Sequence, residues 1–105
     1  MNNPNVVAII QARMTSARLP GKVLADLGGH PVLGWVTDRL SLAETVDTLV
    51  VATSVDSSDD PVAKWCSQRQ VECFRGSLKD VLSRFAGAAE QTHAEVVVRI
   101  TADCP

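Results

Sequence analysis

The chain has no tyrosine, and only two phenylalanines and two tryptophans among 105 residues. So few rings exclude an aromatic platform for stacking single-stranded bases. Cysteine is also scarce. Cys66, Cys73 and Cys104 are odd in number and lack the paired spacing of a metal site, which fits thiols that pack in a reducing, cytoplasmic setting. No apolar run approaches the length of a membrane span, and Met1-Asn2-Asn3-Pro4-Asn5 lacks the basic start of a signal peptide. Positive charge is in short supply too. A net charge of −2 argues against a general nucleic-acid binder, which needs a broad basic face.

Apolar residues are plentiful. At 46% of the chain they can supply a core for a single domain spanning residues 1–105. They fall in four runs. Val6 to Ile10, Leu49 to Thr53 and Val96 to Ile100 are apolar on successive residues, as expected for strands covered on both faces, and Val71 to Phe74 is a shorter candidate. Helix signals lie between them. Pro31 opens a segment to about Leu42, with Val32, Leu33, Val36 and Leu40 on one face. Asp60 reads as an N-cap with Pro61 behind it, and Val62, Trp65 and Cys66 as the inward face. Ser77-Leu78-Lys79-Asp80 reads as a capping box, with Leu78, Val81, Leu82, Phe85 and Ala89 along one stripe. The alternation predicts an α/β fold, a Rossmann-like three-layer α/β/α sandwich with a mostly parallel sheet.

In such sheets ligands lie beyond the carboxyl ends of the strands. Three segments share that edge: residues 13–22, residues 53–60, and Thr101-Ala102-Asp103-Cys104-Pro105. The first holds Arg13, Arg18 and Lys22 without a carboxylate. Guanidinium groups grip phosphate oxygens through paired bonds and lysine adds a point charge, so this segment reads as a polyphosphate cradle. A solvated surface loop is the plain alternative. Its glycines fit neither a Walker A motif nor a dinucleotide fingerprint. Asp103, just past the fourth run, is placed to hold a hard cation that bridges phosphates.

Other polar residues have local explanations. Ser77 and Asp80 can serve as a cap, and Asp80 with Arg84 as an i,i+4 ion pair. Arg99 interrupts an apolar strand, so it needs a carboxylate partner or an anionic ligand. His30 reads as a turn residue, and His93 suits a helix carboxyl end. No Ser-His-Asp or Cys-His arrangement is indicated by the spacing.

Three motifs in order carry a family likeness. They are Ile10-Gln11-Ala12-Arg13 through Arg18-Leu19-Pro20-Gly21-Lys22 and Gly29-His30-Pro31; Arg75-Gly76-Ser77 with Asp80-Val81-Leu82; and Arg99-Ile100-Thr101-Ala102-Asp103-Cys104-Pro105. The chain resembles the cytidylyltransferase superfamily, which includes the KDO and acylneuraminate CMP-sugar synthetases. Within it, the likeness is to the cytidylyltransferase-like branch of spore-coat polysaccharide biosynthesis proteins. The resemblance implies a nucleotidyltransferase of the glycosyltransferase-A type of fold, activating a sugar with CTP and releasing pyrophosphate. By matching position, Gln11, Ala12, Arg13, Ser16, Arg18 and Lys22 would form the nucleotide loop, with Arg13 and Lys22 acting on the phosphates as the catalytic cations. Ser77, Asp80 and Arg84 would complete the nucleotide site, and Asp103 would hold Mg2+.

Members of that superfamily are about twice this length or more, within the range of one larger domain. Against that length the chain reads either as the amino-terminal part of a longer nucleotidyltransferase domain, truncated after its fourth strand, or as a natural short form. The later strands, the sugar pocket and any second metal carboxylate would lie beyond Pro105. Two further functions remain open: a glycosyltransferase using a nucleotide-sugar donor, and a non-catalytic module that binds a nucleotide or partner. A sheet ending at its fourth strand exposes an edge, which predicts self-association into a homo-oligomer.

Overall fold

The computed structural model describes residues 5–14 and 32–101. Four strands, β1 (Val6–Gln11), β2 (Thr48–Ser54), β3 (Cys73–Gly76) and β4 (Val96–Thr101), alternate with the helices α1 (Val32–Ser41), α2 (Asp60–Arg69) and α3 (Val81–Gln91). All strand pairs are parallel, in the order β3-β2-β1-β4. This is the expected α/β sandwich. Among the described residues no helix is long and apolar enough to cross a membrane.

Successive side chains of a strand point to opposite faces, and β1 feeds two cores in this way. Ile10, with Ala12 just beyond the strand, packs with Leu33 and Val36 of α1, Val51 of β2, and Val62 and Cys66 of α2. Val7 and Ile9 pack on the other face with Val50, Ala52 and Ala88, against Phe74 and Phe85. Helices α1 and α2 therefore cover one face and α3 the other. Handedness explains the split. The chain steps outward from β1 to β2 to β3, then crosses back past β1 to β4. A right-handed crossover in the reverse direction must run over the opposite face.

Several local expectations need correction. Strand β3 begins at Cys73, because Val71 is used to end α2: its N–H donates to Cys66 O at 2.8 Å. Gln70 closes that helix in the left-handed region, at φ 58°. Helix α2 is not capped by Asp60, which is its first residue. A 3-10 turn, Ser57–Asp59, precedes it, and Asp56 caps that turn through Ser58 N. Helix α3 begins at Val81 rather than Ser77, and its side-chain cap is Asp80, which accepts from Ser83 N.

The inward face of α3 is also rotated from the expected stripe. Leu82 is 81% exposed, whereas Arg84 and Ala88 are fully buried. Strand β4 lies at the edge of the sheet, with Val96 and Val97 exposed, so it is not covered on both faces as expected. Arg99 faces solvent on this edge. Its guanidinium lies over the Phe85 ring, 4.9 Å from the centroid, and an exposed charge with a cation–π contact does not need the carboxylate or anionic ligand expected for a buried one.

Candidate nucleotide site

Parallel pairing sets the carboxyl ends of all four strands along one edge. Strand β1 occupies the place where the strand order reverses, with Gln11 in register with Ala52 of β2 and Thr101 of β4. A crevice forms at such a reversal because the connections leave toward opposite faces. The chain departs from the sheet there. Ala12 is buried, and its N–H makes a bond to Ala52 O at 3.0 Å. Arg13 and Met14 follow.

Asp59 receives this departing segment. Its Oδ1 accepts the Met14 N–H at 2.7 Å, its Oδ2 accepts the Ser54 hydroxyl, and Arg13 Nε lies 3.9 Å from Oδ2. The carboxylate is fully buried. Burying a charge is costly unless it is paired and hydrogen-bonded, and here both oxygens are engaged.

The loop carrying Asp59 is held from both ends. Asp56 accepts from Ser58 N at 3.0 Å and from the Ser58 hydroxyl at 2.5 Å. Those bonds hold the Asp56 carboxyl below its ordinary range. From β3, Arg75 Nε donates to Ser54 O at 2.8 Å. Its Nη2 donates to Asp56 O at 3.0 Å and Asp60 Oδ1 at 2.8 Å. Arg75 thus clasps the segment between β2 and α2.

Arg84 enters from the other face. Gly76 allows this approach, since a Cβ there would stand 3.2 Å from Arg84 Cγ and 2.9 Å from Phe74 Cε2. Arg84 Nη1 donates to Ser77 O at 2.7 Å and, at 3.3 Å, to Leu78 O. Its Nε and Nη2 are buried and meet no acceptor among the described residues. Burial pushes the guanidinium pKa down, the charge of Arg13 lowers it further, and Asp59 opposes them. These two donors belong to one edge of a planar fork, the arrangement that grips phosphate or carboxylate oxygens bidentately.

The edge therefore brings together Gln11, Ala12, Arg13 and Arg84 from the sequence-predicted set. Ser77 and Asp80 build the turn that anchors Arg84: Asp80 N donates to Ser77 Oγ at 3.0 Å. The predicted Asp80–Arg84 ion pair is not formed, because the Asp80 carboxylate caps α3 and Nη1 of Arg84 is committed to carbonyls. Ser16, Arg18, Lys22 and Asp103 lie outside the described residues. Asp59 and Ser54 were missed by sequence reasoning. An aspartate immediately before Asp60-Pro61 reads as another helix-start residue, and no local signal separates the two. Among the described residues no group of three or more His, Cys, Asp or Glu could hold a metal.

A family model described as Cytidylyltransferase matches residues 7–105. The chain is 39% identical over 105 residues to the spore coat polysaccharide biosynthesis protein SpsF of Bacillus subtilis, covering 96% of this chain and 44% of that protein. It is 36% identical over 101 residues to the 3-deoxy-manno-octulosonate cytidylyltransferase of Geobacter sulfurreducens, covering 96% and 40%. A solved cytidylyltransferase of Leptospira borgpetersenii superposes with a TM-score of 0.91 at 36% identity, over 98% of this chain and 43% of that one. The chain thus spans less than half the length of the relatives it matches.

Proposed function

The chain belongs to the cytidylyltransferase family, and from that membership we propose that it is the nucleotide-binding part of an enzyme that activates a sugar with CTP. The products are a CMP-sugar, for surface polysaccharide biosynthesis, and pyrophosphate. A sugar hydroxyl attacks the α-phosphorus of CTP and forms a new P–O bond. The bond from that phosphorus to the bridging oxygen breaks, pyrophosphate leaves with the electron pair, and the hydroxyl proton passes to solvent.

Positioning and electrostatics supply most of such a catalyst's work. Arg13 and Lys22 stabilise charge on the leaving pyrophosphate. Gln11, Ala12, Ser16 and Arg18 line the nucleotide loop, and Ser77 with Asp80 fixes the turn behind Arg84. Magnesium takes one or two carboxylates with phosphate oxygens and keeps several waters. Asp59 is engaged by Met14 and Ser54, and Asp60 by Arg75. Asp103, two positions beyond Thr101, the β4 partner of Gln11, would hold the metal, as the family likeness implies. A bound ion would supply charge neutralisation at the phosphates.

The observation that carries this reading is Arg84, buried beside Arg13 with two donors unused among the described residues. An unpaired buried guanidinium is costly to the fold alone, and an anion at the strand ends offsets that cost. Calorimetric titration with CTP and magnesium tests it. Saturable binding is expected, weakened about tenfold or more by Arg18→Ala or Lys22→Ala. Absence of any signal at millimolar CTP would sink the reading.

A further inference from the structure

Asp59 stands at the N-cap position of α2, at φ −99° and ψ 5°, yet makes no side-chain capping bond to that helix. Aspartate is among the preferred residues at this position because its carboxylate can satisfy a free helix N–H. Here the carboxylate turns away from its own helix. It binds Met14 N–H at 2.7 Å and the Ser54 hydroxyl, and it is fully buried. A capping bond worth about 1 kcal/mol has been exchanged for a tether to a segment 45 residues earlier in the chain.

The tether's location gives it meaning. Ala12 is still joined to β2 through Ala52 O, and Met14 is bound two residues later by Asp59. Arg13 lies between these two fixed points, with Nε 3.9 Å from the same carboxylate. A flexible side chain on a free loop would lose rotamer and backbone freedom on gripping a phosphate; one held at both flanks has less to lose. Arg75 extends the arrangement, since its three bonds to Ser54, Asp56 and Asp60 restrain the loop that carries Asp59.

We propose that Asp59 is a positioning residue for nucleotide binding: it fixes the exit of the chain from β1, and with it Arg13, in the arrangement that receives the phosphates. The proposal rests on the nucleotide reading above. Asp59 itself touches no nucleotide. Its negative charge would repel a bound phosphate, so its contribution comes through Met14 and Arg13.

Two measurements separate positioning from mere folding. The first is hydrogen exchange at the Met14 amide in the nucleotide-free protein, and the second is CTP affinity in the presence of magnesium. Asp59→Ala should accelerate Met14 exchange and weaken CTP about tenfold. Asp59→Asn keeps an acceptor for Met14 and a polar partner for Ser54. It should restore protection and bring affinity within about threefold of the parent.

A lowered melting temperature with unchanged affinity in the folded Asp59→Ala protein would overturn the proposal. So would an Asn variant as weak as the Ala variant. If Asp59→Ala does not fold, Ser54→Ala serves: removing one of the two bonds to the carboxylate should speed Met14 exchange and weaken CTP severalfold, and no change in either would count against it. If the parent protein binds no CTP, the nucleotide reading fails. Met14 exchange then still decides the tether, and unaltered protection in Asp59→Ala rejects it.

Discussion

Gly87 lies so close to Phe74 that a Cβ at position 87 would stand 2.3 Å from Cζ of the ring. Helix α3 therefore rests on β3 through a hydrogen atom, and the ring occupies the space a side chain would take. Intrinsic propensity favours alanine over glycine inside a helix by about 1 kcal/mol. Overpacking costs about 1–3 kcal/mol, and the same ring also lies close to Gly76. Gly87→Ala is expected to lower stability in urea denaturation, against its helix propensity. A more stable variant would mean that Phe74 can move aside.

Arg84→Met separates stability from function. The substitution keeps an unbranched stem in the buried space and removes a charge whose desolvation costs several kcal/mol. It also forfeits the bonds to Ser77 O and Leu78 O, at about 1.5 kcal/mol each. The nucleotide-free variant should be more stable by about 1–2 kcal/mol, while CTP binding falls by at least about thirtyfold. Calorimetry of melting and of binding reads both, and a drop in melting temperature would make the guanidinium a structural device instead.

Cys66 and Cys73 interact across the end of α2 and the start of β3. A hydrogen bond from the Cys66 thiol holds the Cys73 pKa below its ordinary value, helped by the charge of Arg75 and opposed by burial. The same bond and burial push Cys66 upward. Cys73 should be alkylated by iodoacetamide before Cys66, since the thiolate is the nucleophile. Cys66→Ala should slow labelling of Cys73 at a fixed pH. Peptide mass spectrometry follows each site separately, and equal rates in both proteins would contradict the hydrogen bond's role.

Gln70 holds φ 58° and ψ 39° at the end of α2, a conformation that costs a side-chain-bearing residue about 1–2 kcal/mol. Gln70→Gly should raise stability by about 0.5–1 kcal/mol, after allowance for the greater freedom of the unfolded chain. For a domain of this size that corresponds to a melting shift of a few degrees. A shift in the opposite direction would point to a stabilising contact of the Gln70 side chain.

Acid sensitivity follows from Asp56. Its pKa in the folded chain is lowered chiefly by the Ser58 hydroxyl and then by the Ser58 N–H. A depressed folded pKa gives stability that is fully present above the ordinary carboxylate pKa and is lost as pH falls through the lowered value. Ser58→Ala removes the larger cause. The stability difference between parent and variant should stay constant from about pH 5 to 7 and shrink below about pH 4. A difference independent of pH would assign the effect to lost packing.

Much of the sheet was legible because burial on two faces leaves a simple mark. Val7, Ala8, Ile9 and Ile10 are fully buried, and no polar residue interrupts them. Helix α3 was misphased for the opposite reason. Apolar Leu82 points outward and cationic Arg84 inward, so a rule that turns charge toward water assigns both wrongly. Hydrophobic periodicity has no term for a buried charge. The likeness around Arg13 indicated the family, which the match over residues 7–105 bears out. The carboxylate that receives the loop was hidden among three acids, Asp56, Asp59 and Asp60. What separates Asp59 from its neighbours is full burial, which follows from contacts with Met14 and Ser54.

The register that places Val6 beside Val96 also sets a timetable. Strand β1 is made before both of its neighbours in the sheet, and one of them, β4, follows far later. At about 5–20 residues per second, β1 waits several seconds with one hydrogen-bonding edge bare, while β2 can join the other edge early. Its consecutive apolar side chains are the part of this chain that most needs shelter during that interval. The nascent protein should therefore be most prone to misassembly, and most responsive to chaperones, before β4 arrives.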